Sequence, residues 1–382
     1  MDQTKIVIFN QFCIKDPLVQ DIMRQSGLTQ HLENLSSRVS FEAGGMPGWY
    51  VRHGANTLGI DNQGILGLGM HMPQTSHSIS FEQASDKRCH DLMISHADRP
   101  WLVFWSGGVD STVIVASMVR NMPKQDRERV TIVCNRASVA ENPWFYREQI
   151  LPNFRIQDNT ALDITHALRH DYLFYGEPGD QIFSHWCSRW LYEDAWGWQP
   201  WRQNRDRIVN LITSRSNAHL AQWLWQATTD NIQSCDAPVE TVFDWWWWIS
   251  FNFCWAGARL RRLFGANHDI AFAERYHAQI NWFDSADYQI WSMTHNAPGD
   301  REDRGPGHSK HSAKVYIHSV DNNDFYYKFK TKTNSGWALP GEMPYIWAAL
   351  TTDGRVLDLH KDLDEICRLL PGHFLSPARD RV

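Results

Sequence analysis

The chain has 382 residues, with 37 Lys+Arg against 43 Asp+Glu, a formal net charge of −6 and 21% charged residues. That length suits two domains with a substantial core and excludes disorder as the main state. The acidic balance excludes a global basic footprint for nucleic acid or an anionic membrane. Tryptophan is the compositional oddity: its 20 residues outnumber the 18 Phe and the 11 Tyr.

The seven cysteines are scattered (13, 89, 134, 187, 235, 254 and 367) with no CxxC pair, so neither a disulfide framework nor a structural zinc site is expected, and a reducing cytoplasm fits best. The opening Met-Asp-Gln-Thr-Lys lacks the basic-then-apolar layout of a signal peptide. Trp245 to Ala258 is the most aromatic uncharged run. It is shorter than the roughly 17 to 25 residues that span a bilayer, so it reads as part of a buried or groove-lining helix.

In chain order, residues 1 to 97 are expected to form a small strand-rich domain. Ile6 to Phe9 predicts a strand, Pro17 to Leu35 a helix, and the glycines between Gly44 and Gly69 break the chain into short extended pieces. Residues 98 to 382 are expected to form the larger domain. Its fold class is α/β: Trp101 to Trp105, Val130 to Cys134, Phe154 to Ile156 and Tyr172 to Tyr175 read as strands. They alternate with helices over Asp110 to Asn121, Asn142 to Ile150 and Ala161 to His170. That order predicts a parallel sheet with helices on both faces and ligands beyond the carboxyl ends of its strands. Residues 180 to 295 read as mainly helical, with Val242 to Phe264 the longest helix, and Asn296 to Ser312 as a Gly, Pro and charge-rich loop. Tyr345 to Leu359 reads as a hairpin, and no internal repeat is present.

The first chemical signal is Trp105-Ser106-Gly107-Gly108-Val109-Asp110-Ser111, between the first of these strands and its helix. Two glycines bring backbone N–H groups against an anion, Ser106 and Ser111 add hydroxyls, and the helix N-terminus adds its positive dipole end. A carboxylate, Asp110, beside a bound phosphate calls for a divalent cation between them, hence Mg²⁺. No GxxxxGK[ST] occurs, so this is not a Walker loop. Ser-Gly-Gly-Val-Asp-Ser resembles the PP-loop of ATP pyrophosphatases, which cleave ATP between its α and β phosphates.

The second signal, Tyr175-Gly176-Glu177-Pro178-Gly179-Asp180-Gln181-Ile182-Phe183, follows the fourth strand of the series and so falls on the same sheet edge. It resembles the Gly-Glu-Gly-x-Asp-Glu-x-Phe motif of the synthetase domain of asparagine synthetases, β-lactam synthetases and lasso-peptide cyclases. Pro178 and Gln181 are departures from that pattern. The resemblance implies an adenine nucleotide alpha hydrolase-like fold, ATP and Mg²⁺, with Asp110 and Asp180 holding the metal and Glu177 accepting a proton. It further implies Ser106, Gly107, Gly108, Ser111 and Gly176 at the pyrophosphate, and Phe104, Trp105, Cys134 and Asn135 at the adenine.

A looser match is Lys328-Phe329-Lys330 followed, after five intervening residues, by Gly336. It implies Lys330 as the lysine that stabilises the acyl-adenylate, with Lys328 as a second phosphate contact. An extended chain here would point Lys328, Lys330 and Lys332 one way. Asn281-Trp282-Phe283-Asp284 resembles the family's Pro-Phe-Leu-Asp region, with Asp284 read as structural.

His308 and His311 read as loop residues, and Arg259, Arg261 and Arg262 as suiting a helix C-terminus. Asp2 stands where a glutaminase domain would carry its cysteine nucleophile, so glutamine hydrolysis is not expected. The expected activity is AMP-forming amide ligation of a small-molecule or peptide carboxylate with ammonia or an amine. The alternatives are activation of a nucleobase carbonyl in nucleotide or nucleic-acid modification, and a non-catalytic nucleotide-binding scaffold. Nothing in the residue pattern sets an oligomeric state. Twelve of the 20 tryptophans fall between Trp186 and Trp255, where they serve either core packing or an aromatic acceptor pocket.

Overall fold

The structure is a computed structural model. It describes residues 6–10, 72–74, 77–183, 191, 195–215, 218–233, 237–253, 255, 258, 270, 272–295, 310–330, 347–351 and 356–358. In chain order its elements begin with β1 (Ile6–Asn10), α1 (Phe81–Ser95), β2 (Trp101–Phe104), α2 (Val109–Asn121), β3 (Val130–Cys134), α3 (Arg136–Glu141) and β4 (Arg155–Asp158). Next come α4 (Ile164–His170), β5 (Tyr172–Tyr175), α5 (Gly179–Phe183), α6 (Arg205–Arg215), α7 (Ala218–Ile232) and α8 (Val242–Trp248). The series ends with α9 (Phe272–Ala278), β6 (Gln279–Asn281), α10 (Ala286–Thr294), α11 (His311–Asp321), α12 (Asp324–Phe329), β7 (Trp347–Thr351) and β8 (Val356–Asp358). Short 3₁₀ and π-helical turns join several of these.

The chain divides into two compact units. Unit one takes Met1–Met72, Trp198–His268 and Met343–Val382, and unit two takes Pro73–Gly197 and Asp269–Glu342. This differs from the expected boundary at residue 97. Helix α1 belongs with unit two, while β1 pairs with strands from the far end of the sequence.

Unit two is α/β, of Rossmann-like class. Its sheet has five strands in the order β4-β3-β2-β5-β6, and every pairing is parallel. Trp101, Leu102 and Val103 of β2, Ile132 and Val133 of β3, and Leu173 and Phe174 of β5 are all buried. Such continuous apolar runs are what strands covered on both faces require. The chain steps outward from β2 through β3 to β4, then returns to the other side of β2 for β5. Right-handed crossovers therefore place α2 on one face and α4 on the other. Helix α2 packs on α1 and α11, and α4 packs on α9.

Two elements of unit two were not expected. Strand β6 lies inside the stretch read as helical. It has three residues with one apolar member, Ile280, and it pairs along one side with β5. Helix α1 lies in the region read as strand-rich. Ser80 and Gln83 form a reciprocal capping box, and Phe81, Ser85, Cys89 and Leu92 fall on one buried stripe. The expected helix at residues 17–35 lies outside the described residues.

In unit one, β1, β7 and β8 form an antiparallel sheet in the order β1-β7-β8, with Ile6 opposite Thr351 and Ala348 opposite Asp358. The hairpin between β7 and β8 matches the expectation. Helix α8 starts at a capping box in which Thr241 Oγ1 and the Thr241 N–H both donate to Asp244, at 2.8 and 2.7 Å. At Trp248 it passes into a π-helical turn, Ile249–Phe253, and Trp255 and Ala258 beyond the turn are again helical; the rest of the expected helix to Phe264 lies outside the described residues. Trp201, Trp245, Trp246, Trp247, Trp248 and Trp255 are all buried. Trp225 stacks on Trp245 at 5.9 Å and Trp247 on Phe251 at 5.0 Å, so these rings pack a core. Among the described residues no helix is long and apolar enough to cross a membrane.

Candidate functional site

The order reversal between β2 and β5 marks where a ligand crevice forms in an open parallel sheet, at the carboxyl ends of those two strands. The loop after β2 turns through Gly107 at φ +79°, and a Cβ there would lie 2.3 Å from Ser138 O and 2.8 Å from Glu141 Cβ. Both conformation and space demand glycine. The Ser106 N–H donates to Ser111 Oγ at 3.0 Å, Ser111 Oγ donates to Gly108 O at 3.2 Å, and the two hydroxyl oxygens lie 3.0 Å apart. Ser111 thus braces the loop from inside while Ser106 is exposed. Gly108 caps α2 with no side-chain hydrogen bond, which leaves first-turn N–H groups oriented for an anion. From α12, Tyr326 donates its hydroxyl to Gly107 O at 3.3 Å, and burial pushes that phenol's pKa well up.

The loop after β5 is pressed against the first. A Cβ on Gly176 would meet Asp110 Cβ and Ser111 N at 3.1 Å, and one on Gly179 would fall 2.6 Å from Asp110 Cγ. Two glycines thereby let the second loop lie directly on Asp110. Glu177 sits half-buried at the turn, its bond to Pro178 cis, and Asp180 occupies the first turn of α5. The sequence expectation that Asp110 and Asp180 come together is met by this packing.

The residue on which they converge was missed by sequence reasoning. Lys310 Nζ lies 2.5 Å from both Asp110 oxygens and 2.7 Å from Asp180 Oδ1. Its side chain is 7% exposed. Burial disfavours the ammonium, but the two carboxylates outweigh burial and the pKa is raised. Lys310 caps α11 at φ 56°, ψ 42°, a left-handed conformation that costs a non-glycine residue about 1–2 kcal/mol. A lone lysine at the end of a charged loop carries no motif, so only the fold reveals it.

Three carboxylate oxygens therefore surround one point occupied by positive charge. These hard donors suit a divalent cation, and Mg²⁺ commonly takes one or two carboxylates and fills its other positions with phosphate and water. Among the described residues no group of three or more His, Cys, Asp or Glu forms an all-protein cage. The donors present fit Mg²⁺ shared with a polyphosphate, provided Lys310 moves.

Lys330 ends α12 with its Nζ 2.5 Å from Glu141 Oε1, both side chains under a tenth exposed. Glu141, at the end of α3, was also not expected. Lys328 is corrected: residues 324–329 are helical rather than extended, and Lys328 is exposed, paired with Asp324 one turn away at 2.8 Å. Lys332 lies outside the described residues.

Of the adenine candidates, Phe104 is half-buried and stacks on Tyr175 at 4.6 Å. Trp105 is buried, faces Phe145 and Tyr146, and donates its Nε1–H to Thr112 at 3.1 Å. Cys134 is buried, which pushes its thiol pKa up. Asn135 Oδ1 accepts from Ser138 N at 2.9 Å, so it serves as the cap of α3. The Asp284 N–H donates to Asn281 O at 3.2 Å in a turn, and His311 packs on Tyr327. His308, Arg259, Arg261 and Arg262 lie outside the described residues. No family model matches the chain, and no curated protein matches it.

Proposed function

We propose that the chain is an ATP-dependent, AMP- and pyrophosphate-forming carbon–nitrogen ligase with a PP-loop type nucleotide site. The observation that carries this reading is the convergence of Asp110 and Asp180, from loops after two adjacent parallel strands, on one cationic centre beside a glycine-rich turn. The first loop would seat the β and γ phosphates on its backbone N–H groups and on Ser106. Asp110 and Asp180 would hold Mg²⁺, which supplies charge neutralisation at the departing pyrophosphate.

A substrate carboxylate oxygen then attacks the α phosphorus, the bond from the α phosphorus to the β-bridging oxygen breaks, and pyrophosphate leaves. Ammonia or an amine attacks the acyl carbon, AMP departs, and Glu177 takes the proton released by the nitrogen. Lys330 would face the negative charge developing on the phosphate and acyl oxygens. Glu177 is half-buried just after β5, on the same sheet edge as the first loop, which supports reading it as the proton acceptor.

The test is incubation of the full chain with ATP, Mg²⁺ and pools of carboxylates and amines, with AMP and pyrophosphate measured. Carboxylate-dependent AMP formation is expected, with at least a ~100-fold loss in Asp110→Asn and Asp180→Asn at unchanged circular dichroism. AMP formation that depends solely on a nucleobase would replace this reading with base-carbonyl activation. Full activity in either variant would remove the metal assignment.

A further inference from the structure

We propose that Lys310 is the chain's own counter-ion for the Asp110–Asp180 pair, and that a divalent cation entering the site displaces its ammonium toward the bound polyphosphate. The proposal rests on the ligase reading for the identity of the polyphosphate, and on the geometry of unit two for the exchange itself.

Two carboxylates forced together at adjacent strand ends repel unless a cation lies between them. Here that cation is covalently part of the chain: one nitrogen contacts three oxygens, at 2.5, 2.5 and 2.7 Å. A divalent ion of the Mg²⁺ class sits about 2.0–2.1 Å from its oxygens. It needs the same point, so ammonium and metal exclude one another. A divalent ion brings the two carboxylates more positive charge than one ammonium does, so the metal is the stronger partner once phosphate supplies its remaining ligands.

The stem of Lys310 is anchored at the start of α11, its Nζ lies 5.6 Å from the centre of the Phe183 ring, and Asp110 belongs to the first turn of the helix whose N-terminus faces the phosphates. The ammonium therefore stays beside the polyphosphate as an additional positive group. The left-handed backbone at Lys310 is consistent with a residue held in place by what its side chain does. The same contact ties α11 to both loops.

The experiment is a Mn²⁺ titration of the nucleotide-free full chain, read by the paramagnetic resonance signal of free Mn²⁺. Wild type should bind weakly, Lys310→Met at least tenfold tighter, and Lys310→Arg, which keeps the charge, at the wild-type level. Equal affinity in wild type and Lys310→Met overturns the exchange, as does a Lys310→Arg affinity as tight as that of Lys310→Met.

A second measurement needs no variant: acetylation of Lys310 by an N-hydroxysuccinimide ester, followed by peptide mass spectrometry. The ammonium should be protected without metal and labelled several-fold faster at saturating Mn²⁺, and an unchanged rate overturns the proposal. Wild-type AMP formation with no Mn²⁺ effect in either assay would sink the exchange and leave the ligase reading standing. Mn²⁺ exchange without AMP formation from any pool would sink the ligase reading and leave the exchange.

Discussion

Lys330 Nζ lies 2.5 Å from Glu141 Oε1, an ion pair between residues 189 positions apart whose side chains are both under a tenth exposed. Glu141 also backs the loop after β2, because its Cβ lies 2.8 Å from where a Cβ on Gly107 would be. The ammonium assigned to the reacting phosphate is thus held by a carboxylate that touches the loop itself.

Removing one partner of a largely buried ion pair costs stability, up to about 3–5 kcal/mol, because the other charge loses its counter-ion contact. Glu141→Gln and Lys330→Met are each expected to lower the urea midpoint, while the double variant recovers a large part of the loss. AMP formation should recover in none of them, since each lacks either the ammonium or the group that aims it. Additive stability losses in the double variant would show that the pair is not coupled.

Gly179→Ala should separate packing from chemistry in the second loop. Its added methyl falls 2.6 Å from Asp110 Cγ, so the loop must shift, at an overpacking cost of about 1–3 kcal/mol. Gly176→Ala meets its neighbours at 3.1–3.2 Å and should be milder. Calorimetric titration with a non-hydrolysable ATP analogue and Mg²⁺ should rank affinity as wild type, then Gly176→Ala, then Gly179→Ala.

His96 supplies a pH dependence. Burial, aided by Arg88, holds its imidazole below the ordinary value of 6.5, while in the unfolded chain it titrates near that value. Between the two values the unfolded state binds the extra proton, so stability present above about pH 6.5 is lost as pH falls through the folded value. His96→Phe keeps a ring against Tyr172, now 4.6 Å away in an edge contact. It should flatten the slope of urea-derived stability against pH over this range.

Cys89 should be inert. Burial pushes its thiol up to about 12, and it lies within the stripe of α1 that faces the core. Peptide mapping after iodoacetamide treatment at pH 8 should find Cys89 unmodified in the native chain and modified in urea.

The parts of unit two that were legible are those written locally. Strands β2 and β5 are apolar runs and β3 is a β-branched one, α2 follows directly from its glycine turn, and Asn142 with Pro143 caps the short helical turn as expected. The capping box of α1 was present in Ser80 and Gln83 but stood in a stretch dominated by glycine turns. Strand β6 offered one apolar residue. Asp110 and Asp180 were found because each sits in a motif, whereas Lys310 meets them across 200 and 130 positions, and no local pattern encodes such a meeting. Glu141 was missed for the same reason. The alternation of Lys328 and Lys330 suggested a strand, but Asn323 caps a helix there and turns the two lysines apart.

The pairing of β1 with β7 fixes an order of events during synthesis. Ile6 faces Thr351, so the first strand emerges from the ribosome long before its neighbour has been translated. Both segments of unit two, 73–197 and 269–342, are finished before residue 351 appears. Unit two is therefore fully translated while unit one still waits for its hairpin. A released chain truncated after residue 346 should already protect the loop carrying Asp110 from protease while leaving residues 6–10 open to cleavage.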